Sequence, residues 1–142
     1  MVYLDTSVLI KLFVSEIYSD DVQAFVSGLD TPTVSHLCLL EWDCAMRRME
    51  RSGAITAEYR LLAVREFSTQ LAEGLYRLVA RDQAMFNTAR HLIEQVAPVP
   101  LRAMDALHLA TARACEVSLV ATADKVMTDA AQQLGFETKT FI

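Results

Sequence analysis

The sequence has few cysteines, no long apolar run and no excess of basic residues. Only three of its 142 residues are cysteine, without a CxxC pair, so neither a disulfide framework nor a zinc site is predicted. The longest apolar stretches, residues 8–10 and 37–40, are far shorter than the roughly 20 residues that span a bilayer, and no membrane helix is expected. The N-terminus lacks a basic region followed by an apolar signal core, which favours a cytoplasmic location.

Acidic residues outnumber basic residues by 18 to 13, and the formal net charge is −5. A protein that coats nucleic acid nonspecifically relies on a basic surface, so the composition argues against that class. It still allows a nucleic-acid enzyme, because metal ions can supply positive charge at one site. With 53 % hydrophobic residues and no low-complexity segment or linker, residues 1–142 are predicted to form a single ordered domain.

Short apolar segments alternate with longer amphipathic segments along the chain. We predict strands at residues 2–4, 33–35, 75–79, 118–121 and 137–142. Helices are predicted at residues 8–14, 20–29, 37–51, 104–115 and 125–134. A further helix is predicted to begin at Thr56 and another to be capped by Asp82, and Thr6 or Ser7 is expected to cap the first helix. This alternation is typical of an α/β fold in which helices cover both faces of a mainly parallel sheet. Arg77 inside the third strand indicates an edge position.

Four acidic residues lie near predicted strand ends or helix starts: Asp5, Glu41, Asp105 and Asp124. In open parallel sheets, binding sites form beyond the carboxyl ends of the strands. We therefore predict that these four side chains converge at one edge of the sheet. A helix cap is the simpler interpretation of Asp5, although Thr6 and Ser7 are also available for that role.

A cluster of carboxylates requires a cation. Two unit charges about 4 Å apart repel by about 4 kcal/mol at the effective dielectric near a protein surface. All the candidate ligands are hard oxygen atoms, so one or two Mg²⁺ or Mn²⁺ ions are predicted. Such a site suits hydrolysis of a phosphodiester, because the metal lowers the pKa of a bound water and stabilises the leaving oxygen.

The chain contains, in order, the segments MVYLDTSVLIKL, LEWDCAMRRMERSG, LRAMDALHLATA and LVATADKVMTDAAQQLG. Together they resemble a PIN-domain ribonuclease, of the kind that serves as the VapC toxin of bacterial and archaeal toxin-antitoxin pairs. The resemblance covers essentially the whole chain and implies a PIN-like three-layer sandwich with a sheet of about five strands. It also implies an acidic quartet that holds Mg²⁺ or Mn²⁺, with two nearby hydroxyls: Asp5, Glu41, Asp105 and Asp124, with Thr6 and Thr122.

The same resemblance implies cleavage of single-stranded or structured RNA, a homodimer, and inhibition by a cognate antitoxin protein. Apolar side chains on the predicted helices are candidates for the partner and dimer surfaces: Leu40, Trp42, Leu61 and Leu62.

Two basic residues and one histidine accompany the acidic residues. At 100° per residue, Arg48 returns to within about 20° of the direction of Glu41, so it either contacts RNA phosphate or belongs to a solvated face. Arg102, just before the helix that carries Asp105, is a second candidate RNA contact. His108 lies three positions after Asp105 on the same helix face, where it either approaches a substrate or packs in the core.

Two other functions also fit the sequence. One is a different Mg²⁺-dependent phosphoryl-transfer enzyme in which Asp5 is the phosphorylated nucleophile. A haloacid-dehalogenase-like site of that kind has a second aspartate at position 7, where this chain has Ser7. The other is a catalytically inactive PIN-like binding module, and metal binding together with nuclease activity discriminates among the three.

Overall fold

The five strands are short, and at least one helix follows each of the first four. The computed structural model describes residues 1–142. Its strands are β1 (Val2–Leu4), β2 (Thr33–Ser35), β3 (Arg77–Val79), β4 (Leu119–Thr122) and β5 (Glu137–Thr140). Its helices are α1 (Thr6–Phe13), α2 (Ser19–Ser27), α3 (His36–Ser52), α4 (Ala57–Ala72), α5 (Gln83–Gln95), α6 (Ala103–Ala114) and α7 (Lys125–Gln133).

The strands form one sheet in the order β3-β2-β1-β4-β5, and every neighbouring pair is parallel. In the register of the sheet, Tyr3 of β1 pairs with Thr33 on one side and Val120 on the other. The predicted mainly parallel sheet is therefore all parallel. Because β3 is an edge strand, the edge position indicated by Arg77 is confirmed.

Helices cover both faces of the sheet. Successive residues of a strand point to opposite faces, and both members of the pairs Tyr3–Leu4 and Val120–Ala121 have no exposed surface. The predicted three-layer α/β sandwich is thereby confirmed. None of its helices has the length and apolar character needed to cross a membrane.

The first helix begins earlier than predicted. The side chain of Asp5 accepts a hydrogen bond from the backbone N–H of Val8, so Asp5 is the N-cap and Thr6 is already helical. The prediction that Thr6 or Ser7 caps this helix is therefore wrong. Asp5 keeps the extended backbone of β1 and can turn its carboxylate toward the free N–H groups of the next turn.

The predicted surface role of Trp42 is wrong as well. Its side chain is 1 % exposed, and its ring packs against Phe13 and Phe67 with centroid distances of 5.4 and 4.9 Å. Trp42 joins α3 to α1 and α4 in the core. The other apolar candidates for a partner surface are exposed on α3 and α4, namely Leu40, Leu61 and Leu62.

Replacing Trp42 should therefore destabilise the protein far more than replacing its exposed neighbours. We expect Trp42→Ala to lower the free energy of unfolding by about 3–5 kcal/mol through loss of buried contacts and the cavity left behind. Leu62→Ala should change it by less than about 0.5 kcal/mol. Urea unfolding of both variants checks this, and similar losses in the two would contradict the packing described here.

Candidate active site

A cavity of about 500 Å³ opens at the carboxyl ends of β1 and β4. All four acidic residues predicted from the sequence line it, together with one predicted hydroxyl and both candidate RNA contacts: Asp5, Glu41, Asp105, Asp124, Thr6, Arg48 and Arg102. Thr122 lies against the cavity through its hydrogen bond to Asp5. The structure thus brings the candidate residues together, and their role as metal ligands stays a prediction.

Asp5 is buried at the base of the cavity, directly after the central strand. Its Oδ1 accepts hydrogen bonds from the backbone N–H of Val8 at 3.1 Å and the Ser7 hydroxyl at 2.5 Å, and its Oδ2 accepts one from the Thr122 hydroxyl at 2.5 Å. Burial raises the pKa of Asp5, although the charge of His108 and these hydroxyl donors oppose the increase. The carboxylate is therefore held in place by contacts on both oxygens.

Asp124 repeats this arrangement at the end of β4. Its Oδ1 accepts a hydrogen bond from the backbone N–H of Met127 at 2.8 Å, so it caps α7. The backbone N–H of Asp124 donates to the Thr122 hydroxyl at 3.0 Å, and that hydroxyl donates to Asp5. Thr122 therefore links the two capping carboxylates.

Arg102 connects the remaining oxygen of Asp124 to Asp105. Its Nε lies 3.2 Å from Asp105 Oδ2 and its Nη2 lies 3.3 Å from Asp124 Oδ2. Burial raises the pKa of Asp105, and the positive charge of Arg102 opposes that increase. Because the Arg102 side chain is 72 % exposed, water competes with both contacts, and ion pairs of this kind contribute little to stability.

Glu41 is held by side chains from two other helices. Its Oε1 accepts hydrogen bonds from the Thr6 hydroxyl at 2.7 Å and from His108 Nε2 at 2.5 Å. Burial alone would raise the pKa of Glu41, but the hydrogen bond and charge of His108 outweigh it, and the pKa is lowered. Burial also lowers the pKa of His108, whereas its contacts with Cys38 and Glu41 raise it to about 10. His108 is thus both a packed core residue and a neighbour of the cavity.

The donor chemistry of the cavity fits a hard divalent cation. Its candidate ligands are carboxylate oxygens, and Oε2 of Glu41 makes no hydrogen bond within the protein. As placed, no three Asp, Glu, His or Cys side chains form a ready metal cluster, and Asp105 and Asp124 are turned toward Arg102. Arg102 would therefore compete with an ion for Oδ2 of Asp105 and Oδ2 of Asp124.

Arg81, which follows β3 near this edge of the sheet, is a charged neighbour of the site that was not predicted from the sequence. Its Nε and Nη1 atoms are buried without a hydrogen-bond partner. The pKa of Glu41 depends mainly on burial, His108 and Thr6, and the positive charge of Arg81 lowers it further. No motif marks this residue, and the only available signal is its place just beyond a strand.

The fold and the site define a class of protein, namely an α/β domain with an acidic cavity at the carboxyl edge of an all-parallel sheet. A family model described as PIN domain matches residues 2–133, and the chain belongs to this family. Comparison with curated proteins gives no match.

Solved structures with the same fold include toxins and toxin-antitoxin complexes. VapC20 of Mycobacterium tuberculosis, described as a Sarcin-Ricin loop cleaving toxin, is 14 % identical with a TM-score of 0.71, covering 92 % of this chain and 95 % of that one. FitAcB of Neisseria gonorrhoeae is 19 % identical with a TM-score of 0.72, covering 97 % and 96 %. VapBC2 of Rickettsia felis, bound to a promoter DNA fragment, is 13 % identical with a TM-score of 0.68, covering all of both chains. At these identities the likeness shows the fold.

The raised pKa of Asp5 predicts how stability without metal depends on pH. The folded protein binds this proton more tightly than the unfolded chain, so the contribution of Asp5 is largest below its ordinary pKa of 3.8. That contribution is lost as the pH rises through the raised folded value. We expect the free energy of unfolding of Asp5→Asn, relative to wild type, to increase with pH across this window. Urea unfolding in chelator at several pH values measures it, and a constant difference would contradict the assignment.

Proposed function

We propose that this PIN-domain chain is a metal-dependent endoribonuclease that hydrolyses RNA phosphodiester bonds and serves as the toxin of a toxin-antitoxin pair. The observation that carries the proposal is the meeting of four carboxylates from separate segments of the chain in one cavity. The family match and the likeness in fold to VapC20, whose description names a cleaving toxin, support it.

The proposed cofactor is Mg²⁺ or Mn²⁺, as one or two ions held by the acidic quartet, Asp5, Glu41, Asp105 and Asp124. When bound, such an ion activates a water molecule and stabilises the leaving oxygen of the phosphodiester. Thr122 and Thr6 hold Asp5 and Glu41 by donating hydrogen bonds to them. Arg102 balances the charge of Asp105 and Asp124 before binding, and its exposed guanidinium can move toward solvent or substrate.

Arg48 is the proposed contact to RNA phosphate. It lines the cavity from α3, is exposed, and forms no ion pair, whereas its neighbour Arg47 pairs with Glu50 at 3.3 Å. The planar guanidinium presents paired N–H donors that suit phosphate oxygens. Arg102, once released from the carboxylates, is the proposed second phosphate contact.

The proposed protein partner is an antitoxin segment that lies across the cavity. Leu40 and Met104 are exposed and line it beside the acidic residues, which suits a segment with apolar side chains and one basic group. The contacts of Arg102 illustrate how a guanidinium can satisfy Asp105 and Asp124 together. We further propose a homodimer that uses the exposed apolar side chains of α4, and a cytoplasmic location alongside the RNA substrate.

The two alternative functions make different predictions at the same residues. Asp5 as a phosphorylated nucleophile is disfavoured, because it is buried and accepts hydrogen bonds on both oxygens. An inactive binding module is favoured by one observation, the pairing of Arg102 with two of the four acids. Metal binding and RNA cleavage decide between that module and the nuclease.

The first test removes one proposed ligand charge. We expect Glu41→Gln and Asp5→Asn to weaken Mn²⁺ binding by more than about tenfold and to reduce RNA cleavage in parallel, because an amide oxygen binds a hard cation less well. Asp43→Asn is the matched control, since Asp43 is exposed on α3 outside the cavity. Calorimetric Mn²⁺ titration and cleavage of a short RNA measure the effects. Equal affinities, or cleavage that survives chelator, would contradict the proposal.

The second test separates RNA binding from metal binding. If Arg48 contacts phosphate, Arg48→Ala should weaken RNA binding and flatten its salt dependence by about one unit of slope, with Mn²⁺ affinity unchanged. Arg47→Ala, on the same helix but paired with Glu50, should leave the slope as it is. Binding of a short RNA across a salt series measures both. An unchanged slope in Arg48→Ala would assign Arg48 to the solvated face.

A further inference from the structure

Glu41 differs from the capping carboxylates in how its side chain is held. Asp5 and Asp124 accept hydrogen bonds from backbone N–H groups of the helices that they cap. Glu41 lies beyond the first turn of α3, where the backbone N–H groups are already used within the helix. With three rotatable bonds, its carboxylate has to be oriented by other side chains.

The side chain of His108 supplies that orientation. A carboxylate only accepts hydrogen bonds, so His108 Nε2 carries the hydrogen and donates it to Glu41 Oε1 at 2.5 Å. The Thr6 hydroxyl donates to the same oxygen. Both donors lie on Oε1, and Oε2 of Glu41 is left without a protein partner beside the cavity.

His108 is itself fixed from behind by buried hydroxyls. Its Nδ1 lies 2.7 Å from the Tyr3 hydroxyl, which donates to Ser35 Oγ at 3.0 Å. Ser35 caps α3, the helix that carries Glu41. The chain of contacts therefore leaves α3 at Glu41, passes through α6 and β1, and returns to the start of α3. Tyr3 and Ser35 have no exposed surface, and His108 is 2 % exposed.

We propose that His108, backed by Tyr3 and Ser35, is a positioning residue that orients Glu41 so that its free oxygen faces the bound cation. This inference rests on the proposed metal-dependent function and assigns to His108 no contact with RNA. Partners that orient a ligating carboxylate are commonly worth about tenfold to hundredfold in metal affinity or activity.

The test measures Mn²⁺ affinity by calorimetry. His108→Phe removes the donor and keeps a ring in the buried site, so the affinity should fall about tenfold to hundredfold. His108→Gln keeps an N–H of similar reach and should recover most of it. Tyr3→Phe removes only the hydroxyl behind His108 and should give an intermediate loss, which keeps the test decisive if His108→Phe does not fold. Unchanged affinity in Tyr3→Phe and His108→Phe overturns the proposal.

Thr111→Val is the matched control for a purely structural effect. Thr111 is buried on the same helix as His108, and its hydroxyl donates to the backbone oxygen of Leu107 at 2.7 Å, away from Glu41. It should lower stability and leave Mn²⁺ affinity unchanged. If affinity instead follows stability across all the variants, Thr111→Val included, the network is structural only and the proposal fails.

A double-mutant cycle and metal-free crystal structures complete the test. In a Glu41→Gln background, His108→Phe should cause no further loss of Mn²⁺ affinity, because it acts through Glu41. Two independent, additive losses overturn the proposal. If the wild type binds no Mn²⁺, the proposed function fails. The inference is then judged by metal-free structures, where displacement of the Glu41 carboxylate in His108→Phe but not in Thr111→Val supports it, and an unmoved carboxylate overturns it.

Discussion

The need to balance the charge of four carboxylates that share one cavity accounts for the polar contacts at the carboxyl edge of the sheet. Like charges repel more strongly near a protein surface than in bulk water, and four carboxylates line this single cavity. The surrounding groups are correspondingly rich in hydrogen-bond donors: two helix N-termini, three hydroxyls, one histidine and one arginine. The parallel sheet creates this problem, because it places every strand end, and the helix that follows, on the same edge.

The four carboxylates are stabilised by different kinds of hydrogen-bond donor. Asp5 and Asp124 each direct one oxygen to a helix N-terminus, whose partial positive charge favours a carboxylate. Glu41 depends on His108 and Thr6, and Asp105 has only the exposed Arg102. In the function that we propose, a bound metal ion would compete with the exposed Arg102 for Asp105 and Asp124, whereas the buried donors to Asp5 and Glu41 can stay in place.

The parts of this structure that the sequence could predict are those encoded locally. Asp5 and Asp124 follow short apolar strands, so strand and helix alternation is enough to bring them to one edge. The contact between His108 and Glu41 joins positions 67 residues apart and depends on how α6 packs beside α3, which no local pattern specifies. Trp42 is misjudged for the same reason, because its burial is decided by Phe13 and Phe67 on other helices. The capping role of Asp5 is one of the alternatives that the sequence left open, because the neighbouring Thr6 and Ser7 are equally suitable caps.

Asp5 and Asp124 cap helices in addition to their proposed role as metal ligands, and this has an evolutionary consequence. Asparagine or serine can replace aspartate as a helix cap, so a lineage that lost the proposed nuclease activity would still be selected for a short polar residue at positions 5 and 124. Loss of Glu41 would leave the buried His108 Nε2 without its partner, which is a penalty of its own. Asp105 lies in the first turn of α6 but neither caps the helix nor accepts a hydrogen bond from a buried donor. Genetic drift in an inert descendant of this chain should therefore become visible first at position 105.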